Sequence, residues 1–370
     1  MNELDREANS TPVALNRNGK PAARLARLRG VGVVGLGYWG PNHVRNLYDL
    51  RCAEQVYVCD LDSHRREHIH ELYPGVVALS DYDELLANPD IEGVIIATPV
   101  SQHFPMARAA LRAGKSVLVE KPLAMSRCET LELIRLAREN RSVLMVGHTF
   151  EYSAPVRKIK QLLDSGTLGD VFYISSTRAN LGVFQRDVNV AWDLATHDIS
   201  IINMLMGRAP LTVSCQGHSH YRDRTEDVAL LTLDFGNSVV AFIHVSWLDP
   251  NKIRRTTIVG SRQMLVYDDT STQEKIRIYD KGVNVLPYYD TYGQFQFSYR
   301  YGDIQIPRIE EAEPLKLECE HFVQCVAEHT VPLTDGLSGL RVVSVLEAAN
   351  QSLRSEGRPI AVQPGETADG

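Results

Sequence analysis

The stretch VGVVGLGYWG, residues 31–40, decides the fold of this chain. It joins an apolar run rich in valine to a G-x-G-x-x-G pattern whose glycines are Gly35, Gly37 and Gly40. The pattern predicts a strand, a tight turn and a helix, because the first glycine permits the turn, the second admits a pyrophosphate and the third lets the helix pack on the strand. Phosphates would bind the free N–H groups that open the helix, so Tyr38 and Trp39 in the turn are also candidate cofactor contacts.

An acidic residue stands where a dinucleotide-binding unit needs one. Residues 56–59 predict a second strand, and this strand ends at Asp60. A carboxylate there accepts hydrogen bonds from the adenosine ribose hydroxyls and repels a 2′-phosphate, which favours NAD over NADP. Arg65 and Arg66 follow closely and keep NADP possible. The alternative is an ordinary βα turn with Asp60 as a turn former, but the strand before the glycines and the helix after them favour dinucleotide binding.

The composition is that of a globular protein with room for two or more domains. Of its 370 residues, 44% are apolar and 23% are charged. The net charge of −7 argues against nucleic acid as a main partner. No apolar run reaches the roughly 18 residues that predict a membrane span. The six cysteines show no paired metal-ligand spacing, so we expect no metal site, reduced thiols and a cytoplasmic protein.

Strands and helices alternate over residues 31–147, which predicts a doubly wound parallel sheet. A sheet of this kind binds its ligand at the carboxyl ends of the strands. We therefore expect one crevice to collect the glycine turn and the polar residues that follow three other strands. These residues are Asp60, Thr98-Pro99 and Glu120-Lys121-Pro122.

The pattern changes beyond residue 150. The predicted elements are a helix over 153–164, a strand over 171–177, an irregular stretch over 178–191, a helix over 193–206, successive strands over 211–268, and helices over 315–329 and 337–353. Strands that follow one another without helices predict a mainly antiparallel open sheet, covered on one face by helices. The segment 269–312 shows little periodicity, so its structure stays open.

These patterns divide the chain into three parts. Residues 1–29 are polar and predict a flexible extension. Residues 30–150 form the Rossmann-type NAD-binding domain. Residues 151–370 predict an α+β substrate-binding domain whose last helices are able to pack back on the first domain, and the family resemblance described below adds oligomerisation to its expected roles.

Two stretches carry candidate chemistry. Lys121 follows a buried strand, where an ammonium can bond a substrate hydroxyl and stabilise an alkoxide; a surface lysine is the alternative. Asp193 and His197 are four residues apart on one predicted helical face. The imidazole can exchange a proton near neutral pH, while the carboxylate orients it or holds a second hydroxyl. A first-turn aspartate with an ordinary half-buried histidine explains this pair equally well. Asp198, turned about 100° from His197, is expected behind the site or in solvent.

Four stretches together resemble the landmarks of the Gfo/Idh/MocA oxidoreductases, the glucose–fructose oxidoreductase and inositol dehydrogenase family. They are GLGYWG at 35–40, ATPVSQH at 97–103, EKPLA at 120–124 and Asp193-x-x-x-His197. The resemblance implies a Rossmann domain, a C-terminal open sheet that forms a homodimer or homotetramer contact, and hydride transfer between nicotinamide and a CH–OH carbon of a sugar or cyclitol. It implies catalytic roles for Lys121, Asp193 and His197. It also adds Thr98, Pro99, His103, Glu120 and Lys121 to the cofactor contacts.

One departure from the family pattern bears on the substrate. Residues 189–192, Asn-Val-Ala-Trp, replace the glycines common before the aspartate. This resembles bacterial nucleotide-sugar and amino-sugar dehydrogenases, which implies a UDP-amino-sugar 3-dehydrogenase. Alternatives are an inositol or free-sugar dehydrogenase, a nucleotide-ketosugar reductase, or a non-catalytic NAD(H)-binding regulatory protein, which need not keep both Lys121 and His197. Trp192 could stack on a sugar or simply pack. The candidate substrate contacts are Lys121, Arg178, Asn180, Asn189, Trp192, Asp193 and His197.

Overall fold

The glycine turn lies between the first strand and the first helix. The structure is a computed structural model that describes residues 26–185, 187–223, 225–284, 298–310 and 312–363. In it, β1 spans Leu28–Val34 and α1 spans Gly40–Leu50. Gly35 has a φ of +88°, a conformation that favours glycine. A Cβ on Gly40 would lie 2.0 Å from the Gly35 carbonyl oxygen, so the helix packs directly on the turn. Residues 1–25 of the predicted flexible extension lie outside the described part of the chain.

The first half of the chain forms a six-stranded parallel sheet. Its other strands, β2 to β6, are Ala53–Cys59, Val77–Leu79, Ile91–Ile96, Ser116–Glu120 and Leu144–Gly147. Helices α2 to α5 are Ser63–Leu72, Tyr82–Ala87, Val100–Arg112 and Arg127–Glu139. The strand order β3-β2-β1-β4-β5-β6 reverses direction beside β1 and confirms the predicted doubly wound sheet. Such a reversal opens a crevice at the carboxyl ends of the strands.

The second half forms a nine-stranded sheet with helices on one face. The chain continues through a 3-10 turn at Thr149–Tyr152, α6 at Ala154–Asp164, β7 at Val171–Ala179, a π-helical turn at Ala191–Ala195 and α7 at Thr196–Met206. Strands β8 to β15 are Thr212–His218, Val228–Gly236, Val239–Ser246, Ile253–Gly260, Met264–Asp268, Ile276–Asn284, Ser298–Gln305 and Ile360–Ala361. Within the described part of this second sheet, β7 and β10 are the one pair of neighbouring strands that run in parallel, so the predicted mainly antiparallel sheet is confirmed.

Three predicted boundaries differ from the structure. Strand β7 continues through Arg178 and Ala179, which the sequence left in an irregular stretch. The helix predicted over 193–206 begins earlier, as the π-helical turn. The segment 269–312 contributes β13 and β14, although its residues 285–297 lie outside the described part. Its periodicity is weak because in β13 only Ile276 and Ile278 are buried, near the end of the sheet.

Two long helices near the end of the described chain connect the two sheets. They are α8 at Pro314–Glu328 and α9 at Gly336–Leu353. Helix α8 packs on the parallel sheet, where Phe322 shares a buried core with Val33 and Val44. Before α9, the Thr334 carbonyl accepts a 2.8 Å hydrogen bond from the Val146 N–H of β6. These contacts hold the carboxyl ends of the parallel strands against the second half of the chain. Among the helices of the described ranges, none is both long and apolar enough to cross a bilayer.

Candidate active site

The glycine turn has the features that a dinucleotide phosphate requires. A Cβ on Gly37 would meet no heavy atom within 4 Å, so the backbone there is open to a ligand. Trp39, at the N-cap of α1, makes no side-chain capping bond, and Tyr38 is exposed. Thr98 touches the same turn, and its buried Oγ1 has no hydrogen-bond partner among the described residues. An open turn, an uncapped helix start and an orphan hydroxyl together fit a bound dinucleotide.

Asp60 lies at the predicted place, at the end of β2 beside the glycine turn. Its carboxylate accepts hydrogen bonds from the Leu36 N–H at 2.6 Å and the Asp62 N–H at 2.9 Å. Arg65 places Nη1 3.6 Å from Asp60 Oδ2, and Arg66 Nη1 donates to the Asp60 carbonyl at 2.6 Å. The carboxylate is therefore fixed next to the turn, with two guanidinium groups close by.

The side chains of two predicted cofactor contacts, His103 and Glu120, instead contact other groups of the protein. His103 is buried, with Nδ1 2.7 Å from the Pro122 carbonyl oxygen and Nε2 2.9 Å from the Thr98 carbonyl oxygen. Glu120 is buried against His43 Nε2 at 2.8 Å. With both ring nitrogens of His103 engaged, we now infer that it holds the strand ends in place rather than binding the cofactor.

The Glu120 carboxylate stays charged despite its burial. Burial acts to raise its pKa, but the hydrogen bond from His43 and the charge of Lys121 bring the pKa below its ordinary value. The Lys121 N–H also lies 3.3 Å from Glu120 Oε2. Glu120 thus anchors the backbone from which Lys121 projects.

An ion pair between the two halves of the chain forms the centre of the site. Lys121 Nζ donates to the Asp193 carbonyl oxygen at 2.8 Å and to Asp193 Oδ1 at 3.2 Å. Trp247 Nε1 donates to Asp193 Oδ2 at 3.0 Å. The Lys121 and Asp193 side chains remain 13% and 18% exposed, so solvent reaches them. The structure therefore brings together two of the three predicted catalytic residues.

His197 presents an unpaired ring nitrogen. Its Nδ1 is buried and has no hydrogen-bond partner among the described residues, and its ring packs edge-on against Phe150 with centroids 5.0 Å apart. Burial, and next the charge of Lys121, hold the pKa of His197 well below its ordinary value. The imidazole is therefore neutral at physiological pH and able to accept a proton.

Asp193 does not orient the His197 ring in this structure. The described contacts of its two carboxylate oxygens are with Lys121 and Trp247. The sequence spacing placed Asp193 and His197 on one face, but it could not show that a lysine and an indole compete for the carboxylate. Asp193 is thus the partner of the lysine, and the prediction that it orients the imidazole is replaced.

Arg178 and Asp198 form a buried pair behind the site. Arg178 Nε donates to Asp198 Oδ2 at 2.7 Å, and its guanidinium lies 4.7 Å from the centre of the Phe150 ring. Ser176 Oγ donates to Asp198 Oδ1 at 2.8 Å. Asp198 is thus not a solvent residue. Most of the guanidinium is engaged, and Nη1 is its buried atom without a partner in the described part of the chain.

Asn189 and Trp192 lie at the start of the π-helical turn that carries Asp193, and the side chain of Asn189 is bonded within the protein. Asn189 Oδ1 accepts from the Trp192 N–H at 3.2 Å, and its Nδ2 donates to Glu226 Oε2 at 2.8 Å. Both residues line a cleft of about 250 Å³, together with Met125 and Glu226. We infer a structural role for Asn189, in which its side chain caps the π-helical turn at the Trp192 N–H, and its contact with the substrate stays a prediction.

Asn180 lies closer to the ion pair. A Cβ on Gly182 would be 2.9 Å from Asn180 Nδ2 and 3.2 Å from Trp247 Cδ1, so Asn180 and Trp247 are neighbours. Trp247 and Phe150 complete the site, but nothing in their local sequence marked them. His148, which follows β6 as Lys121 follows β5, could have been found by the same strand-end rule.

Comparisons with known proteins identify the family of the chain. Residues 29–148 match the model described as "Oxidoreductase family, NAD-binding Rossmann fold" of GFO_IDH_MocA, and residues 156–266 match the GFO/IDH/MocA C-terminal domain. Together these matches cover more than half of the chain. The resemblance inferred from the four sequence stretches is confirmed.

Three similar proteins illustrate the relationship. A UDP-N-acetylglucosamine 3-dehydrogenase from Acidithiobacillus ferrooxidans is 26% identical, over 85% of this chain and 93% of its own. A scyllo-inositol 2-dehydrogenase (NAD(+)) from Bacillus subtilis is 26% identical, over 89% and 94%. The solved structure of a UDP-N-acetylglucosamine 3-dehydrogenase from A. ferrooxidans shares the fold, with a TM-score of 0.74 at 24% identity over 90% and 99% of the two chains. The chain belongs to the Gfo/Idh/MocA family and is an NAD-binding oxidoreductase.

Proposed function

We propose that this protein oxidises a secondary alcohol of a sugar, and that its substrate is a nucleotide-linked amino sugar oxidised at C3. The observation that carries the proposal is the Lys121–Asp193 ion pair together with the His197 ring, which has an unpaired Nδ1 and a pKa lowered by burial and by the charge of Lys121. The relative named for UDP-N-acetylglucosamine supports this substrate class, whereas the relative named for an inositol supports oxidation of a ring alcohol in general.

Lys121 is able to bind a substrate oxygen without leaving Asp193. An ammonium group carries three N–H donors, and two of the described contacts of Lys121 Nζ go to Asp193. The remaining donor can bond the reacting hydroxyl and stabilise the alkoxide as the proton departs. Trp247 fixes Asp193, and Asp193 fixes the direction of the ammonium.

His197 receives the proton of that hydroxyl at a ring nitrogen. Its lowered pKa keeps the imidazole neutral before the reaction, and the developing alkoxide favours its protonated form. The NAD cofactor, when bound, supplies the acceptor for the hydride. General acid–base catalysis of this kind contributes about 10²–10⁴-fold to the rate.

A substrate panel tests the function. The purified protein is mixed with NAD or NADP and one of UDP-N-acetylglucosamine, other UDP-sugars, free sugars or inositols, and the absorbance at 340 nm is followed. We expect the highest kcat/KM with a UDP-amino sugar. Turnover confined to inositols or free sugars would contradict the substrate assignment. If the protein consumes NADH efficiently with nucleotide ketosugars but does not oxidise sugars with NAD, it is a reductase. If it binds NADH without turnover of any compound in the panel, it is a regulatory protein.

We propose NAD rather than NADP as the cofactor. The Asp60 carboxylate is held beside the glycine turn by two backbone N–H groups, where it would repel a 2′-phosphate. Arg65 lies against this carboxylate and is itself shared with Asp62, so its charge is already compensated. Replacing Asp60 by Ala should therefore reduce the preference for NAD over NADP in the same 340 nm assay.

The outer face of the nine-stranded sheet is the proposed subunit contact. Tyr173 and Phe242, on the adjacent strands β7 and β10, are exposed and pack edge to face with ring centroids 6.4 Å apart. Leu230 on β9 is exposed as well. An exposed apolar face of this kind is typical of a protein–protein contact. We propose that a second copy of the chain covers this face in a homodimer or homotetramer.

The domain division and the location of the protein complete the proposal. We assign residues 30–150 to cofactor binding and 151–370 to the substrate, with α8 returning to the parallel sheet. We propose a cytoplasmic location on the ground of cysteine usage, and all six cysteines are free in the structure. Among the described residues, no group of three or more His, Cys, Asp or Glu side chains is arranged to hold a metal ion.

A further inference from the structure

The first half of the chain carries a histidine at the site that the mechanism above does not use. Glu120 pairs with Gly147 where β5 and β6 end. Lys121 and His148 are therefore the first residues beyond two adjacent strand ends. They lie side by side at the edge of the sheet where the crevice opens.

His148 is a buried ring with no partner. It is 2% exposed, and neither Nδ1 nor Nε2 has a hydrogen-bond partner among the described residues. Buried polar groups in folded proteins are nearly always paired, because an unpaired one loses its hydration without compensation. Two unpaired nitrogens on one ring point to a partner that the protein itself does not supply.

The charges around His148 belong to the active site. Burial first, and the charge of Lys121, lower its pKa to about 4 against the opposing effect of Glu120. His148 in turn contributes to the lowered pKa of His197. The ring is thus neutral, with one N–H donor and one lone-pair acceptor, and it belongs to the same neighbourhood as the two catalytic side chains.

The position of β6 identifies the ligand group. A doubly wound sheet of this order binds a dinucleotide through two mononucleotide-binding halves, and β4, β5 and β6 belong to the half opposite Asp60. With the adenosine ribose at Asp60, the nicotinamide of a bound NAD would lie at the ends of β4 to β6. The nicotinamide carboxamide offers an N–H donor there that needs an acceptor.

Among the side chains of Glu120, Lys121 and His148 at the ends of β5 and β6, the His148 ring is the one that keeps an unbonded acceptor nitrogen. The Glu120 carboxylate is already bonded to His43 and faces the Lys121 N–H, and the Lys121 ammonium has donors only. We propose that a ring nitrogen of His148 accepts a hydrogen bond from the carboxamide N–H of bound NAD. This bond would set the orientation of the nicotinamide ring beside Lys121. The catalytic consequence rests on the proposed dehydrogenase function, whereas the binding contact does not.

Binding measurements without any sugar test this assignment. The dissociation constants of NAD, of 3-acetylpyridine adenine dinucleotide, which lacks the amide N–H, and of ADP-ribose, which lacks nicotinamide, are measured by calorimetry. We expect His148→Phe to weaken NAD about tenfold, the worth of one hydrogen bond, while ADP-ribose binding stays within twofold. In the same variant, the preference for NAD over the acetylpyridine analogue should disappear. His148→Gln, which keeps an acceptor, should retain part of that preference.

Control measurements distinguish a direct contact between His148 and NAD from a structural role of His148. His218→Phe, at an exposed position on β8, should leave all three constants unchanged. Equal weakening of NAD and ADP-ribose in His148→Phe would show a damaged fold and overturn the proposal, as would an unchanged preference for NAD over the analogue. Because no sugar is present, either result leaves the proposed substrate untouched, and a failed sugar panel leaves this contact untouched.

Discussion

At the scale of single residues, the site depends on an imidazole that is kept neutral. His197 lies against Phe150 and shares its surroundings with the charges of Lys121 and Arg178. A neutral histidine next to an ammonium is a base that is ready before the substrate arrives. The lysine, fixed by Asp193, binds the oxygen from which that base removes a proton.

The pH dependence of alcohol oxidation follows from this environment. Because the reaction needs the neutral form of His197, activity is present above its pKa and lost below it. Since that pKa lies well below the ordinary value of about 6.5, kcat/KM should stay level as the pH falls through 6.5 and decrease only in more acidic buffer. Initial rates at constant ionic strength measure the profile. A half-maximal point at or above pH 6.5 would contradict the assigned environment of His197.

Local sequence showed some of these residues and not others. Lys121 follows a strand and His197 belongs to a spaced pair, so short-range patterns revealed both. Trp247 is visible only through its bond to Asp193, which is 54 positions away in the chain. Its role depends on how β10 meets the π-helical turn, and no local pattern contains that information.

At the scale of elements, the π-helical turn at Ala191–Ala195 presents Asp193 to the lysine. Asn189 caps this turn and connects it to Glu226 and to Asn350 of α9. The sequence predicted the helix but started it at Asp193, because Glu226 and Asn350, which hold the Asn189 side chain at the turn, are remote in the chain. The central strands β4 and β5 were readable, since residues 94–96 and 117–119 are continuous, buried apolar runs.

Replacing Asn189 by Ala tests the structural role of this residue. The loss of a cap and of its side-chain bonds should lower the free energy of unfolding by about 1–2 kcal/mol. Urea unfolding measures the effect, with the exposed Asn251→Ala as a control that should be close to neutral. A variant of unchanged stability and strongly raised KM for the sugar would show instead that Asn189 contacts the substrate.

At the scale of the whole molecule, the site exists only because the two halves of the chain meet. Helix α8 packs on the parallel sheet, where Glu313 at its start binds Arg45 and Asn46 of α1. The sequence predicted two domains and allowed the return of the last helices. It could not predict how closely α8 packs on the parallel sheet. Phe322 packs against Gly93 of β4, and these two residues are far apart in the chain.

The outer sheet face should control the assembly of the protein. Replacing Phe242 by Asp places a charge in the proposed contact, so we expect a smaller species than the wild type in light scattering. Val331→Asp, at an exposed position between α8 and α9, is the matched control and should keep the wild-type mass. A wild-type protein that is monomeric at micromolar concentration would contradict the proposed contact.

The convergence of Lys121 and His197 on one alcohol is the central claim. It is tested most directly by the initial rate of NADH formation with the best substrate of the panel, in Lys121→Met and in His197→Gln. Each substitution should lower kcat by about 10²–10⁴-fold while the dissociation constant of NADH stays within a few-fold of wild type. Wild-type turnover in either variant, or an equal loss of NADH binding, would contradict the claim.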